Sequence, residues 1–242
     1  MVLALFLCFS TNLWAKEPLV YAASSLGPVM EAMQQAYLKQ EGQGFRLSLS
    51  SSAGLARQIE QGAPAEIFFS AHPAWTQHLA SQGLIERGEV IPLLANRLVL
   101  VTQRDSPLQE GQLVALLKKN FPGRLAICDP DLAPCGDYAV QALTKLGLWE
   151  NLRKKAAYGN NARLVRAWVE RGETSMGILY ASDLVKNPNL RLLAYLNADL
   201  HQPIRYPLAL LRGASEEARK LYHWLQGPEA ATLFQSYGFI LV

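Results

Sequence analysis

The stretch Leu19-Val20-Tyr21-Ala22-Ala23-Ser24-Ser25-Leu26-Gly27-Pro28 decides how the chain is read. Leu19 to Ala23 is a short apolar run of strand length, and it stops at two small hydroxyl residues. Pro28 suits the first turn of a helix, where its missing N–H costs nothing, and the pattern predicts a helix over 27–40. Strand, hydroxyl loop and helix form the unit, and the unit recurs. Phe45 to Ser50 alternates apolar and polar residues, as a half-buried strand does. Ser51-Ser52-Ala53-Gly54 then opens a helix that carries Leu55 and Ile59 and stops at Gly62. Ile67 to Phe69 and Arg97 to Thr102 read as strands, with a helix from His72 to Gln82 between them.

The second half keeps the scheme. Leu125 to Cys128 reads as a strand, Asp129 to Cys135 as a loop and Gly136 to Leu146 as a helix. Asn161 caps a helix from Ala162 to Arg171, and Met176 to Tyr180 and Tyr206 to Leu211 are strands. Ser215 caps Glu216 to Leu225, and a last helix covers Glu229 to Tyr237. Alternating elements of this kind indicate an α/β fold with mostly parallel sheets. The strands at 97–102 and 206–211 are the expected crossings between two lobes.

Composition narrows the function. The 242 residues are 50% hydrophobic, enough for a sizeable core. Lys plus Arg is 23 against 20 for Asp plus Glu, too balanced for a dedicated nucleic-acid binder. Residues 1–15 carry no charge, and the apolar run Val2 to Phe9 has the length of a signal-peptide core. Export with cleavage near Ala15 is therefore expected, and Leu7 before Cys8 is too large for the usual lipobox. Export leaves Cys128 and Cys135, an even pair and a disulfide candidate, the alternative being two unrelated thiols. The chain has no Gly-x-Ser-x-Gly elbow, no phosphate loop, no Gly-x-Gly-x-x-Gly and no helical His pair at four-residue spacing. An enzyme is not expected, nor a bound cofactor or metal.

What remains is a set of helix starts. Ser24-Ser25, Ser51-Ser52, Pro134-Cys135-Gly136 and Asn161-Ala162 each precede or open a helix. The first turn of a helix exposes unpaired N–H groups and partial positive charge, so several converging termini form an anion site without Lys or Arg. For any one serine, plain capping is the ordinary explanation.

Four segments carry a resemblance. They are Val20 to Leu26, Ser50 to Ala65, Gly177-Ile178-Leu179-Tyr180-Ala181-Ser182-Asp183, and the tail Gly227 to Ala231 with Tyr237-Gly238-Phe239. Together they resemble the periplasmic molybdate-binding proteins of ABC-type importers, within the type II periplasmic binding proteins, over most of 19–239. The resemblance implies two α/β lobes, 16–95 plus 203–242 and 96–202, with a tetrahedral dianion held in the cleft. It implies side-chain donors at Ser25, Ser52 and Tyr180 and backbone donors at Ser25, Ser52, Cys135 and Ala162. It implies a periplasmic, monomeric protein with molybdate or tungstate as cargo and a membrane permease as partner. Binding of sulfate or phosphate, an effector domain of a transcription regulator and a periplasmic enzyme are the rival readings.

Two departures stand out. The family usually has Gly at the position of Cys128 and a small residue at Cys135; both being Cys favours a disulfide that stiffens the ligand loop. Asp137 follows two residues after a donor, and it is expected to point outward on the first turn of its helix.

Overall fold

The computed structural model describes residues 17–118, 121 and 123–242, so the leader expected at 1–15 lies outside the described residues. The chain runs through β1 (Leu19–Ala23), α1 (Gly27–Glu41), β2 (Arg46–Ser50), α2 (Ser52–Glu60), β3 (Ile67–Phe69), α3 (Pro73–Ser81), β4 (Ile85–Ala95) and β5 (Leu98–Gln103). It continues with α4 (Leu113–Lys118), β6 (Leu125–Cys128), α5 (Pro134–Lys145), α6 (Trp149–Leu152), β7 (Ala156–Gly159), α7 (Ala162–Glu170), β8 (Met176–Tyr180) and β9 (Leu190–Tyr195). β10 (Arg205–Leu211), α8 (Glu216–Trp224), α9 (Pro228–Ser236) and β11 (Ile240–Leu241) complete it.

Among the described residues the strands form two sheets, ordered β11-β4-β10-β3-β1-β2 and β7-β6-β8-β5-β9. The chain leaves the first sheet after Ala95 and returns to it between Tyr195 and Arg205. Both sheets are mixed, which corrects the expectation of mostly parallel sheets. β1 runs parallel to β2 and β3, and β6 parallel to β7 and β8. β5 is antiparallel to β8 and β9, and β10 to β3 and β4. The reason lies in the crossings. β5 starts opposite Tyr180, and β10 starts one position before Tyr206, near the end of β3. Each thus enters its sheet where the parallel strands finish and runs back along them, which needs no helical crossover.

The core follows from the central strands. β3, β5, β8 and β10 are almost wholly buried, and their near-continuous apolar sequences are what the hydrophobic pattern detects. β4, β7 and β9 escape that reading. β4 contains Glu86-Arg87-Gly88-Glu89 and Pro92, and it alternates toward solvent along its length. Pro92 lies opposite Pro207 at a register irregularity, where a missing backbone donor is tolerated.

The helix after β6 begins at Pro134 rather than Gly136, so Cys135 sits in its first turn rather than in the preceding loop. Cys135 is joined to Cys128 by a disulfide with a Cα–Cα distance of 5.6 Å, across a sequence separation of 7. Closing so short a loop removes about 2.5 kcal/mol of unfolded-state entropy. Replacing both cysteines by serine is therefore expected to lower the unfolding free energy in a urea titration by about 2–3 kcal/mol. An unchanged midpoint and slope would show that the bridge adds nothing to the loop it closes.

Candidate ligand-binding site

Parallel pairing places the site. Ala23 is paired with Ser50 at the ends of β1 and β2, so the turns that follow lie side by side. Cys128 is likewise paired with Gly159 at the ends of β6 and β7. The Asp129 N–H donates to Gly159 O at 2.8 Å and ties those two turns together. Ligands of open α/β sheets bind outside the carboxyl ends of such strands. Here the ends of the two sheets meet, and Ser25, Ser52, Cys135, Ala162 and Tyr180 line one small cavity. All five are buried. The lining holds no Asp, Glu, Lys, Arg or His.

The structure separates capping serines from the others. Ser51 is the N-cap of α2, accepting the Gly54 N–H at 3.1 Å, and Asn161 caps α7 through the Leu164 N–H at 3.0 Å. Ser215 caps α8 through the Ala218 N–H at 3.2 Å. Ser25 and Ser52 do something else. Ser25 lies in a 3-10 turn, Ser24 to Leu26, that runs into α1 without a side-chain cap, and its Oγ is 3.1 Å from Tyr206 Oη. Ser52 Oγ accepts the Ala71 N–H at 3.0 Å, which leaves its own proton to give. Ser25, Ser52, Cys135 and Ala162 each stand in a first turn, where the backbone N–H has no intrahelical acceptor.

Gly136 holds the third of these turns in place. A Cβ there would lie 2.3 Å from Cys128 O and 2.7 Å from the carbonyl carbons of Cys128 and Asp129. Only glycine lets the start of α5 approach the end of β6 this closely.

Tyr180 closes the cavity from the end of β8. It is 1% exposed, and its hydroxyl makes no hydrogen bond of ordinary geometry, with the Tyr206 phenol as its polar neighbour. A buried hydroxyl without a partner costs about 1–3 kcal/mol, and of the tyrosines in that condition (Tyr138, Tyr180 and Tyr222) Tyr180 is the one that lines the cavity. Burial above all, then the neighbouring Tyr206 and Tyr138, hold its phenol well above the ordinary tyrosine range. It stays a neutral O–H donor. The Tyr180 N–H donates to Asp183 Oδ2 at 3.1 Å. Arg166 Nη1 lies 3.9 Å from the other oxygen of Asp183 and Arg166 Nε 3.3 Å from Glu170. This network fixes the backbone that presents the phenol, and the local sequence gave no sign of it.

Asp137 lies outside the cavity, as its place on the first turn of α5 suggested. Its side chain is 45% exposed, accepts from Gln141 Nε2 at 3.0 Å and faces His72 Nε2 at 3.8 Å. His72 comes from the turn before α3 and stacks on Tyr138 at 5.3 Å, so the pair joins the two sheets' elements beside the cavity. Burial holds the His72 imidazole below its ordinary value, with Asp137 opposing.

Burial, partly offset by Arg166 and the Tyr180 N–H, pushes the Asp183 carboxyl up to about 7. Its unfolded value is about 3.9. The folded protein thus keeps a proton that the unfolded chain has lost. The associated stability is complete below about pH 4 and disappears as pH rises through about 7. In denaturant titrations from pH 4 to 8, the stability of the native chain relative to Asp183→Asn is expected to fall across that window. A difference independent of pH would show that Asp183 is ionised throughout.

The family described as bacterial extracellular solute-binding protein matches residues 18–240. The molybdate-binding protein ModA of Escherichia coli (strain K12) is 37% identical over 228 residues, 92% of this chain and 88% of that protein. ModA of Haemophilus influenzae is 33% identical over 227 residues, 91% of this chain and 88% of that protein. Among solved structures, the periplasmic molybdate-binding protein of Azotobacter vinelandii superposes with a TM-score of 0.85 at 24% identity, covering 93% of this chain and 100% of that one, a likeness of fold. The family match and the identity to these binding proteins extend over both sheets and every helix start described above, and the chain belongs to the bacterial extracellular solute-binding proteins.

Proposed function

We propose that the protein captures molybdate, and tungstate by the same contacts, in the periplasm and delivers it to an ABC-type permease. The observation that carries this reading is that Tyr180, whose buried hydroxyl makes no hydrogen bond of ordinary geometry, shares one cavity with four helix starts and no charged side chain. Molybdate and tungstate are dianions without a proton at neutral pH, so every oxygen accepts and none donates. The hydroxyls of Ser25, Ser52 and Tyr180 and the N–H groups of Ser25, Ser52, Cys135 and Ala162 would supply the donors. A protonated phosphate would set its hydroxyl against donors alone, which disfavours it. Sulfate matches molybdate in charge and shape, so its exclusion rests on cavity size. The names of the relatives from E. coli and H. influenzae point to the same cargo.

The donors divide between 16–95 plus 203–242, which would form one lobe, and 96–202, which would form the other. An ion held by both stabilises the closed form over the open one, and the closed shape would be what the permease recognises. The mature protein would start near Lys16, after cleavage at Ala15, and act as a monomer without a cofactor.

Calorimetric titration of the mature chain with molybdate, tungstate, sulfate and phosphate tests the reading. Tight binding of the first two alone is expected; binding of sulfate or phosphate instead would change the cargo. Tyr180→Phe removes one hydrogen bond to a charged partner, about 1.5–3 kcal/mol, so molybdate affinity should drop roughly 10- to 150-fold. An unchanged affinity would remove Tyr180 from the site.

A further inference from the structure

Behind Ser25 lies a short hydrogen-bonded relay whose first link has a fixed direction. Asn96 sits in the crossing between β4 and β5 and is buried. The Arg97 N–H donates to Asn96 Oδ1 at 2.9 Å, so the opposite side of the amide is the NH₂ group. Asn96 Nδ2 lies 2.9 Å from Ser182 Oγ and 3.5 Å from Tyr206 Oη, and it can only donate. Tyr206 Oη therefore accepts a hydrogen bond from Asn96 and has one O–H of its own to donate. Its other partner is Ser25 Oγ at 3.1 Å. If Tyr206 donates to Ser25, the Ser25 proton is left for the cavity.

We infer that Asn96, acting through Tyr206, fixes the Ser25 hydroxyl as a donor toward the ligand and so selects fully unprotonated oxyanions. The inference rests on the oxyanion reading above and adds to it a pair of positioning residues that do not line the cavity. The relay spans the crossing. Tyr206 is on β10 of the first sheet, whereas Ser182 follows β8 of the second, so Asn96 binds both sides where the chain passes between them. Burial keeps Tyr206 neutral, which preserves the single proton the relay passes on.

Reversal of the relay is the test. In Asn96→Asp one carboxylate oxygen can still accept the Arg97 N–H, but the other accepts where the amide donated. Tyr206 then donates its O–H to residue 96 and accepts a hydrogen bond from Ser25, turning a serine lone pair toward the ligand. Molybdate affinity should fall by about tenfold or more, the size of one lost charge-assisted bond. Hydrogen phosphate, which can donate to that lone pair, should gain relative to molybdate. Tyr206→Phe breaks the relay and leaves Ser25 free to turn its proton to the ion, so alone it should cost no more than about threefold. In Asn96→Asp with Tyr206→Phe, molybdate affinity should return to that of Tyr206→Phe. Thermal melts establish that each variant is folded, and Tyr206→Phe against Ser25→Ala still reads the relay should Asn96→Asp not fold. A loss that persists undiminished in the double variant would mean that the new charge acts directly, and the relay would be wrong while the oxyanion reading stood. A native chain that binds none of the four oxyanions would overturn both.

Discussion

Hydrogen-bond donors at the start of a helix have no acceptor within that helix, and burying them demands one from elsewhere. The architecture turns this constraint toward a single point. Parallel pairing of β1 with β2 and of β6 with β7 brings helix starts together in twos, and the meeting of the two sheets brings the twos together. Ser51 and Asn161 relieve part of the deficit as caps. The remainder, with the hydroxyls of Ser52 and Tyr180, is a cluster of donors that an acceptor-only ion would satisfy at once. Neutral donors also avoid the strong desolvation that buried Lys or Arg would suffer.

The supports of this cluster are built into the backbone around it. Gly136 admits the close approach of α5 to β6, and the Cys128–Cys135 disulfide fastens the same corner. Asp183 receives the backbone N–H of Tyr180 from a wholly buried position. The two crossings enter their sheets at the site end, so Asn96 and Tyr206 stand next to the donors rather than at a remote edge. Motion between the sheets would therefore be felt directly by Ser25.

Much of this was legible in the residues because it is local. The runs at Leu19–Ala23, Ile67–Phe69 and Met176–Tyr180 are buried strands with strong patterns, and serine or asparagine before a helix is a local signal. The five proposed ligand residues needed the family resemblance as well, since Tyr180 alone reads as a core aromatic. What was not legible is long-range or solvated. Asn96 and Tyr206 are 110 positions apart and Tyr206 and Ser25 are 181 apart, so no window contains the relay. β4 hid behind its charged, solvent-facing residues, and the mixed direction of the sheets depends on where β5 and β10 enter, which periodicity does not encode.

The central claim is that a fully unprotonated tetrahedral ion sits among donors only. Anomalous diffraction at the molybdenum edge from crystals of the protein with molybdate tests it most directly. The account predicts one strong peak in the cavity bounded by Ser25, Ser52, Cys135, Ala162 and Tyr180, with every ligand oxygen facing an N–H or O–H group. A peak elsewhere, or a carboxylate or carbonyl oxygen within hydrogen-bond distance of the ion, would contradict it.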